Sequence, residues 1–541
     1  MTTAVLAGLT GVAGMAGVAN AVNVNPDGLG QVLLFPYYTA RGGNDTLISI
    51  VNTTERGKAV KIRFIEALNS REVLDFNIYM SPFDVWTAAV TATDEGGAKM
   101  ITGDTTCTVP YIFGDFGGEQ EFLDFEYVTI PGTIGGKADG GPSGIERTAS
   151  GYIEVIEMGT LLEEPDEAPE AGDANFGQII PWAVKHVAPG VPRNCDLLVD
   201  AWTDFGSPAA NLPWIAGDTE FGFDTQQGAS GGLFGSASII SVDSGTMFSY
   251  NATTVDGFWA PGSTAHTRPD SLIPSLASGN ADTSFVFDNG NLVEHTWDFP
   301  LLALNATLTL DRLVNEYVTD EDISARTEWV LTFPTKRFHV DALTQDGVEP
   351  EEPIPPFTRT WHLDEDDELV YACEDLSFRF YDREEAPYPT DAPPPEETPP
   401  IVSPRPPTPE TTPDDPILFQ LCREANVIRF GDSEEETLPG ATEILGEPAR
   451  DQVQLGFTNF ALPFSEGWVN FDLTSVDANS PVFDDVPRRI SLEADNGDVI
   501  EGLPVVGFAV TTYTNGNLAG GVLANYGGTF NHRGSRSVVS D

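Results

Sequence analysis

Gln31-Val-Leu-Leu-Phe-Pro-Tyr-Tyr-Thr39 leads into the turn Gly42-Gly-Asn-Asp45. After it come Leu47-Ile-Ser-Ile-Val-Asn52, Ala59-Val-Lys-Ile-Arg-Phe-Ile-Glu-Ala67 and Val73-Leu-Asp-Phe-Asn-Ile-Tyr-Met80. Within these runs apolar residues largely alternate with polar ones, the period of strands that keep one face in water. Turn-forming clusters separate them at short intervals, so residues 31–90 predict a sandwich of antiparallel sheets. The rest of the chain is expected to repeat or decorate this unit.

Going outward, Ala237-Ser-Ile-Ile-Ser-Val242 and Thr246-Met-Phe-Ser-Tyr-Asn251 read as paired strands that complete the first sandwich. A second round starts near Ser284, where Asn289-Gly290 between two apolar runs marks a hairpin. Asn496-Gly497 and Asn515-Gly516 mark two more. Residues 311–318 read as a short helix, with Leu313, Val314 and Tyr317 on one face. The strands Glu328-Trp-Val-Leu-Thr-Phe-Pro-Thr335 and Leu376-Ser-Phe-Arg-Phe-Tyr-Asp-Arg-Glu384 repeat the character of 47–52 and 59–66. The expected fold is therefore all-β: two tandem antiparallel β-sandwich (immunoglobulin-like) domains, 22–275 and 276–541, with long loops. Segments 346–360 and 386–416 are proline-rich; the second is expected to be extended or uncompacted, because it lacks core-forming residues.

At 541 residues the chain exceeds one ordinary core, and 40% hydrophobic content supports real ones. Its charge is extreme, 27 basic against 83 acidic residues, net −56. Such a surface repels nucleic acid and anionic membrane and attracts cations. Ala4 to Val22 is small and apolar and ends Val18-Ala-Asn-Ala21, which predicts a signal peptide, 1–21, cleaved between Ala21 and Val22. No Lys or Arg precedes Arg41, so its basic n-region is expected upstream of Met1. No later run has the length of a membrane-spanning helix.

An even number of cysteines behind an export signal predicts disulfides. Of the three possible pairings, Cys107–Cys195 and Cys373–Cys422 keep each bridge within one predicted domain. The second would staple two neighbouring strands with the proline-rich segment looping out between them.

Asn25-Pro-Asp-Gly-Leu-Gly-Gln-Val-Leu-Leu-Phe-Pro-Tyr-Tyr-Thr39, Thr106-Cys-Thr-Val-Pro110, Thr327-Glu-Trp-Val-Leu-Thr-Phe-Pro-Thr-Lys336 and Gly502-Leu-Pro-Val-Val-Gly-Phe-Ala509 resemble uncharacterised exported cell-surface proteins of Gram-negative, mostly proteobacterial, organisms. The resemblance covers nearly the whole mature chain. It implies export and a shared architecture, and it brings no catalytic residues.

Gly228-Ala-Ser-Gly-Gly232 matches G-x-S-x-G, but the strand-turn-helix context of a nucleophile elbow is missing around Ser230. The six histidines are scattered, without metal-ligand spacing. The densest acidic run holds Asp364, Asp366, Asp367 and Glu368, whose oxygens suit weak extracellular calcium binding; no other cofactor is expected. The nine tryptophans are core anchors or sugar-stacking platforms. The preferred expectation is a secreted, non-enzymatic surface or matrix protein, a layer, filament or coat subunit bridged by divalent cations. Its partners would be further copies, other surface proteins or polysaccharide. An adhesin or carbohydrate-binding protein is the alternative, and a secreted hydrolase with a spatially assembled site the second alternative.

Overall fold

The computed structural model describes residues 21–128, 139–169, 178–203, 226–288, 290–341, 353–363, 369–384, 387–388, 417–430, 441–448, 464–474, 491–518 and 522–540. These residues form mostly antiparallel sheets with few, short helices. Four sheets carry the architecture.

Sheet I has Val32–Thr39, Ser150–Leu161, Lys58–Glu66 and Glu72–Met80 at its centre, with Thr253–Asp256 on one flank and Cys107–Val109 on the other. Sheet II runs Thr246–Asn251, Leu233–Ser241, Asn44–Asn52, Val85–Ala92, Ala98–Ile101, Glu119–Glu121. Phe35, Ile62, Phe64, Ile153 and Val155 of sheet I meet Ile48, Ile50, Trp86 and Ile239 of sheet II in one core. Sheet III consists of Ala425–Phe430, Ala325–Thr332, Val506–Leu518 and Val522–Asn531. Sheet IV orders Glu374–Tyr381, Glu466–Asp472, Arg312–Val318 and Arg533–Ser535, with Ile417–Leu421 also paired to its first strand.

Strands Ala325–Thr332 and Ala425–Phe430 of sheet III are buried on both faces, whereas its edge strand Val522–Asn531 leaves Tyr526 and Phe530 exposed. Trp329, Leu331, Ile428 and Phe430 pack on Leu313, Tyr317, Phe380 and Phe471 of sheet IV. The alternate residues Val330, Val427, Phe508 and Val510 belong to the core of sheets I and II, where Phe508 stacks on Tyr250. The alternation of sheet III thus feeds two cores at once.

The strands of 31–90 depart from the expected one-wet-face pattern. Asn44–Asn52 follows it, with every second residue buried. Val32–Thr39, Lys58–Glu66 and Ser150–Leu161 are buried at every position. The second face of sheet I is covered in two places. Trp259, Trp297 and the helix Pro300–Leu308 pack on Val32, Leu34 and Ile156. The helices Ile179–Val184 and Asp196–Thr203 pack around Ala59, Tyr79 and Met158. Polar residues on this face are held by ion pairs: Lys61 to Asp75 at 2.5 Å, and Arg63 to Glu72 at 2.5 Å and Glu154 at 2.6 Å. Charges that read as solvated in sequence are buried and paired.

Cys107–Cys195 ties the two small helices to the edge of sheet I, and Cys373–Cys422 joins the adjacent strands Glu374–Tyr381 and Ile417–Leu421. The hairpin across Gly290 is present, with Asp288 opposite Asn291, as is the one at Asn496-Gly497. At Asn515-Gly516 the chain does not turn; strand Val506–Leu518 runs through with a register shift between Thr514 and Asn517. Residues 312–318 are a strand, not the expected helix. Leu313 and Tyr317, four apart, share a face in either element. Pairing on both edges, with Glu466–Asp472 and Arg533–Ser535, selects the strand. Ala21 and Val22 are both buried, and Val22 hydrogen-bonds across to Thr283 and Phe285. No described helix is long and apolar enough to cross a membrane.

Candidate ligand-binding face

Sheet IV turns one face into the core and the other outward. Inward go Leu313, Tyr317, Phe378, Phe380, Val469 and Phe471, all buried. The alternate residues form three outward rungs, because directly opposed residues of antiparallel strands share a face. The register sets Tyr381, Trp468 and Glu316 on one rung, Arg379, Asn470 and Val314 on the next, and Ser377, Asp472 and Arg312 on the third. Strand Arg533–Ser535 extends the last two, placing Arg533 beside Val314 and Ser535 beside Arg312.

The first rung opens onto a cleft of about 500 Å³ where sheet IV meets sheet III. Tyr381 and Trp468 stack with centroids 4.1 Å apart and planes 8° from parallel. Trp468 stays 38% exposed, and Phe530, from sheet III, 52%. Tyr513, Glu316, Asp382 and Arg383 complete the lining. Arg383 pairs with Glu466 at 2.7 Å, which fixes one wall. Gly467 forms the floor, where a Cβ would collide with the Tyr381 carbonyl oxygen; only glycine lets these strands approach so closely. Among the described tryptophans, Trp86, Trp259, Trp297, Trp329 and Trp361 are buried, so most serve as core anchors, and Trp468 is the exposed one.

Other residues singled out by sequence are placed elsewhere. Ser230 lies at the open end of sheet I, where its Oγ is 2.5 Å from Lys58 Nζ and 2.8 Å from Thr160 Oγ1. Lys58 also donates to Glu157 at 2.8 Å and to Thr160 at 3.3 Å. All three ammonium hydrogens are therefore engaged, one by a buried carboxylate. Glu157 further accepts the Ser230 and Gly231 backbone N–H groups at 3.1 and 2.8 Å. A serine nucleophile needs a neutral base and free N–H donors for an oxyanion. Here both are consumed in closing the loop onto the sheet.

The histidines lie apart and have separate partners. His266 bonds Tyr79, His339 bonds Asn305, and His532 bonds Asn315 and the Val330 carbonyl. Burial pushes their pKa values down, to about 3 for His266 and about 4 for the other two, which keeps the rings neutral. Asp364, Asp366, Asp367 and Glu368, the expected calcium ligands, lie outside the described residues. Among the described residues no group of three or more His, Cys, Asp or Glu side chains is arranged to hold a metal ion.

No family model matches the chain, and neither a curated protein nor a solved structure does so.

Proposed function

We propose that the chain is a secreted, non-enzymatic cell-surface protein of a Gram-negative bacterium that binds polysaccharide through the outer face of sheet IV. The stacked Tyr381–Trp468 pair at the mouth of the cleft carries the proposal. A pyranose has an apolar C–H face and a rim of hydroxyls. Flat aromatic surface matches the first; Glu316, Asp382 and Arg383 accept from or donate to the second. A cleft of this size suits a short saccharide. The two disulfides support an oxidising compartment. The frame is read as tandem immunoglobulin-like sandwiches, 22–275 and 276–541, held together by the shared sheet III. The test is a glycan array followed by titration calorimetry with wild type and Trp468→Ala. Binding lost in the variant at unchanged melting temperature supports the proposal. A blank array at high protein concentration, or equal affinity of the two proteins, refutes it.

A second reading, a layer or coat subunit, rests on the outer face of sheet II. There Leu47, Val85, Phe234 and Met247 are exposed on one side of the sheet beside a groove of about 640 Å³. Divalent cations would bridge the acidic copies. Sedimentation that is independent of both protein concentration and chelator would dispose of this reading.

A further inference from the structure

In a chain with net charge −56, exposed guanidinium groups stand out against their background. Two of them, Arg312 and Arg533, lie on the outer face of sheet IV. Arg312 pairs in register with Ser535, and Val314 with Arg533, so the two arginines are diagonal neighbours on adjacent strands. Both are exposed. Among the described residues neither side chain forms an ion pair or hydrogen bond, whereas Arg63 of sheet I pairs with two carboxylates. Asp472, directly across from Arg312, turns one carboxylate oxygen to the Thr474 backbone N–H at 2.9 Å and the Thr474 hydroxyl at 2.6 Å instead.

The face is therefore polarised. One end has Tyr381, Trp468, the acceptors Glu316 and Asp382 and the Arg383–Glu466 pair; the other has two unengaged cations beside the single carboxylate of Asp472. Glu316 and Arg312 are four residues apart on one strand, which sets the two ends about 13 Å apart at the usual rise. A neutral saccharide would use only the aromatic end. Arginine's planar fork suits carboxylate, to which it donates two parallel hydrogen bonds. The surrounding negative field would repel an anion everywhere except at such a focus.

We propose, resting on the polysaccharide-binding reading above, that the ligand is an acidic polysaccharide. A sugar ring would stack at Tyr381 and Trp468, and a uronate carboxylate further along the same chain would be held by Arg312 and Arg533. Specificity for acidic over neutral glycan then comes from the two arginines, and general affinity from the aromatic pair.

The test uses the full-length protein and three probes of equal length: an alginate hexasaccharide, the same hexasaccharide with its carboxyls reduced to alcohols, and a sulfated neutral hexasaccharide. Wild type should bind the uronate roughly 2- to 30-fold more tightly than its reduced form, the range for two partly solvated ion pairs. The preference should shrink with added salt. Arg312→Ala/Arg533→Ala should abolish the preference and leave binding of the reduced probe unchanged, whereas Trp468→Ala should weaken both. Both arginines are exposed, so the double variant keeps the fold, which its melting temperature checks. Equal or tighter binding of the reduced probe, lost in Trp468→Ala, overturns this inference and leaves the polysaccharide reading standing. Undiminished uronate preference in the double variant overturns it too. Sulfate bound as tightly as uronate overturns the assignment to carboxylate. No binding of any probe removes the inference, and a blank array removes the reading beneath it.

Discussion

Replacing Arg63 by methionine tests how sheet I tolerates charge on its covered face. The guanidinium is 3% exposed and serves two buried carboxylates, Glu72 at 2.5 Å and Glu154 at 2.6 Å. Burial already pushes both acids upward, Glu72 to about 7, while Arg63 pulls them back. Removing one partner of a buried ion pair costs about 3–5 kcal/mol, because the survivors are left charged in a poor dielectric. The survivors escape by taking up protons, at about 1.4 kcal/mol per pH unit for each group. An acid whose folded pKa is raised loses stability as pH climbs from its unfolded value near 4.5 through the folded one. In Arg63→Met that loss continues to higher pH, since the carboxylates have lost the cation that pulled their pKa values back. The deficit relative to wild type should therefore be small near pH 4.5 and grow toward pH 8, most of it appearing above pH 7, where wild-type Glu72 has given up its proton. Urea unfolding of both proteins with disulfides intact, followed by tryptophan fluorescence across that interval, measures it. The triple variant Arg63→Met/Glu72→Gln/Glu154→Gln should recover most of the loss at pH 8. A deficit under about 1 kcal/mol at pH 8, or one that does not change with pH, would show that the pairs are solvated and refute the reasoning.

Three further outcomes are expected. Glu328 is buried, accepts the Ile444 and Leu445 N–H groups, and is pushed up to about 7 by burial; its ionisation removes at most about 3 kcal/mol between pH 4.5 and 8, and Glu328→Gln should flatten that part of the pH–stability curve. Lys58→Met should cost about 3–5 kcal/mol by stranding Glu157, whereas Ser230→Ala should cost about 1 kcal/mol; covalent labelling of Ser230 by a fluorophosphonate would contradict the role given to both. Cys107→Ser/Cys195→Ser opens a loop of 88 residues and should lower stability by about 4.6 kcal/mol, with limited proteolysis first cutting near the helices Ile179–Val184 and Asp196–Thr203.

The strands of 31–90 were legible because β-branched and aromatic residues recur there between turn clusters. The Asn289-Gly290 and Asn496-Gly497 hairpins were legible because glycine suits the positive-φ position of a short hairpin loop, and Gly290 and Gly497 both adopt it. The same dipeptide at 515–516 misled, since pairing along Val522–Asn531 carried the strand through it. The candidate site was hardly legible. Glu316, Tyr381 and Trp468 lie on three strands far apart in sequence, and one of those strands reads locally as a helix. The nine tryptophans also look alike in sequence until burial separates Trp468 from the core anchors.

The sequence by itself determined that the chain is built from antiparallel strands, that its cysteines staple neighbouring elements, and that its surface is heavily acidic. These are properties of short-range pattern and of composition. Only the tertiary structure decided which of the alternating faces meets water. A period of two says that a strand has two sides and is silent about what lies on each. In sheet I both sides are covered, by residues more than 400 positions away in places, so Lys61 and Arg63 are buried among carboxylates. In sheet IV one side stays open, so the same alternation leaves Trp468, Arg312 and Arg533 available to a ligand.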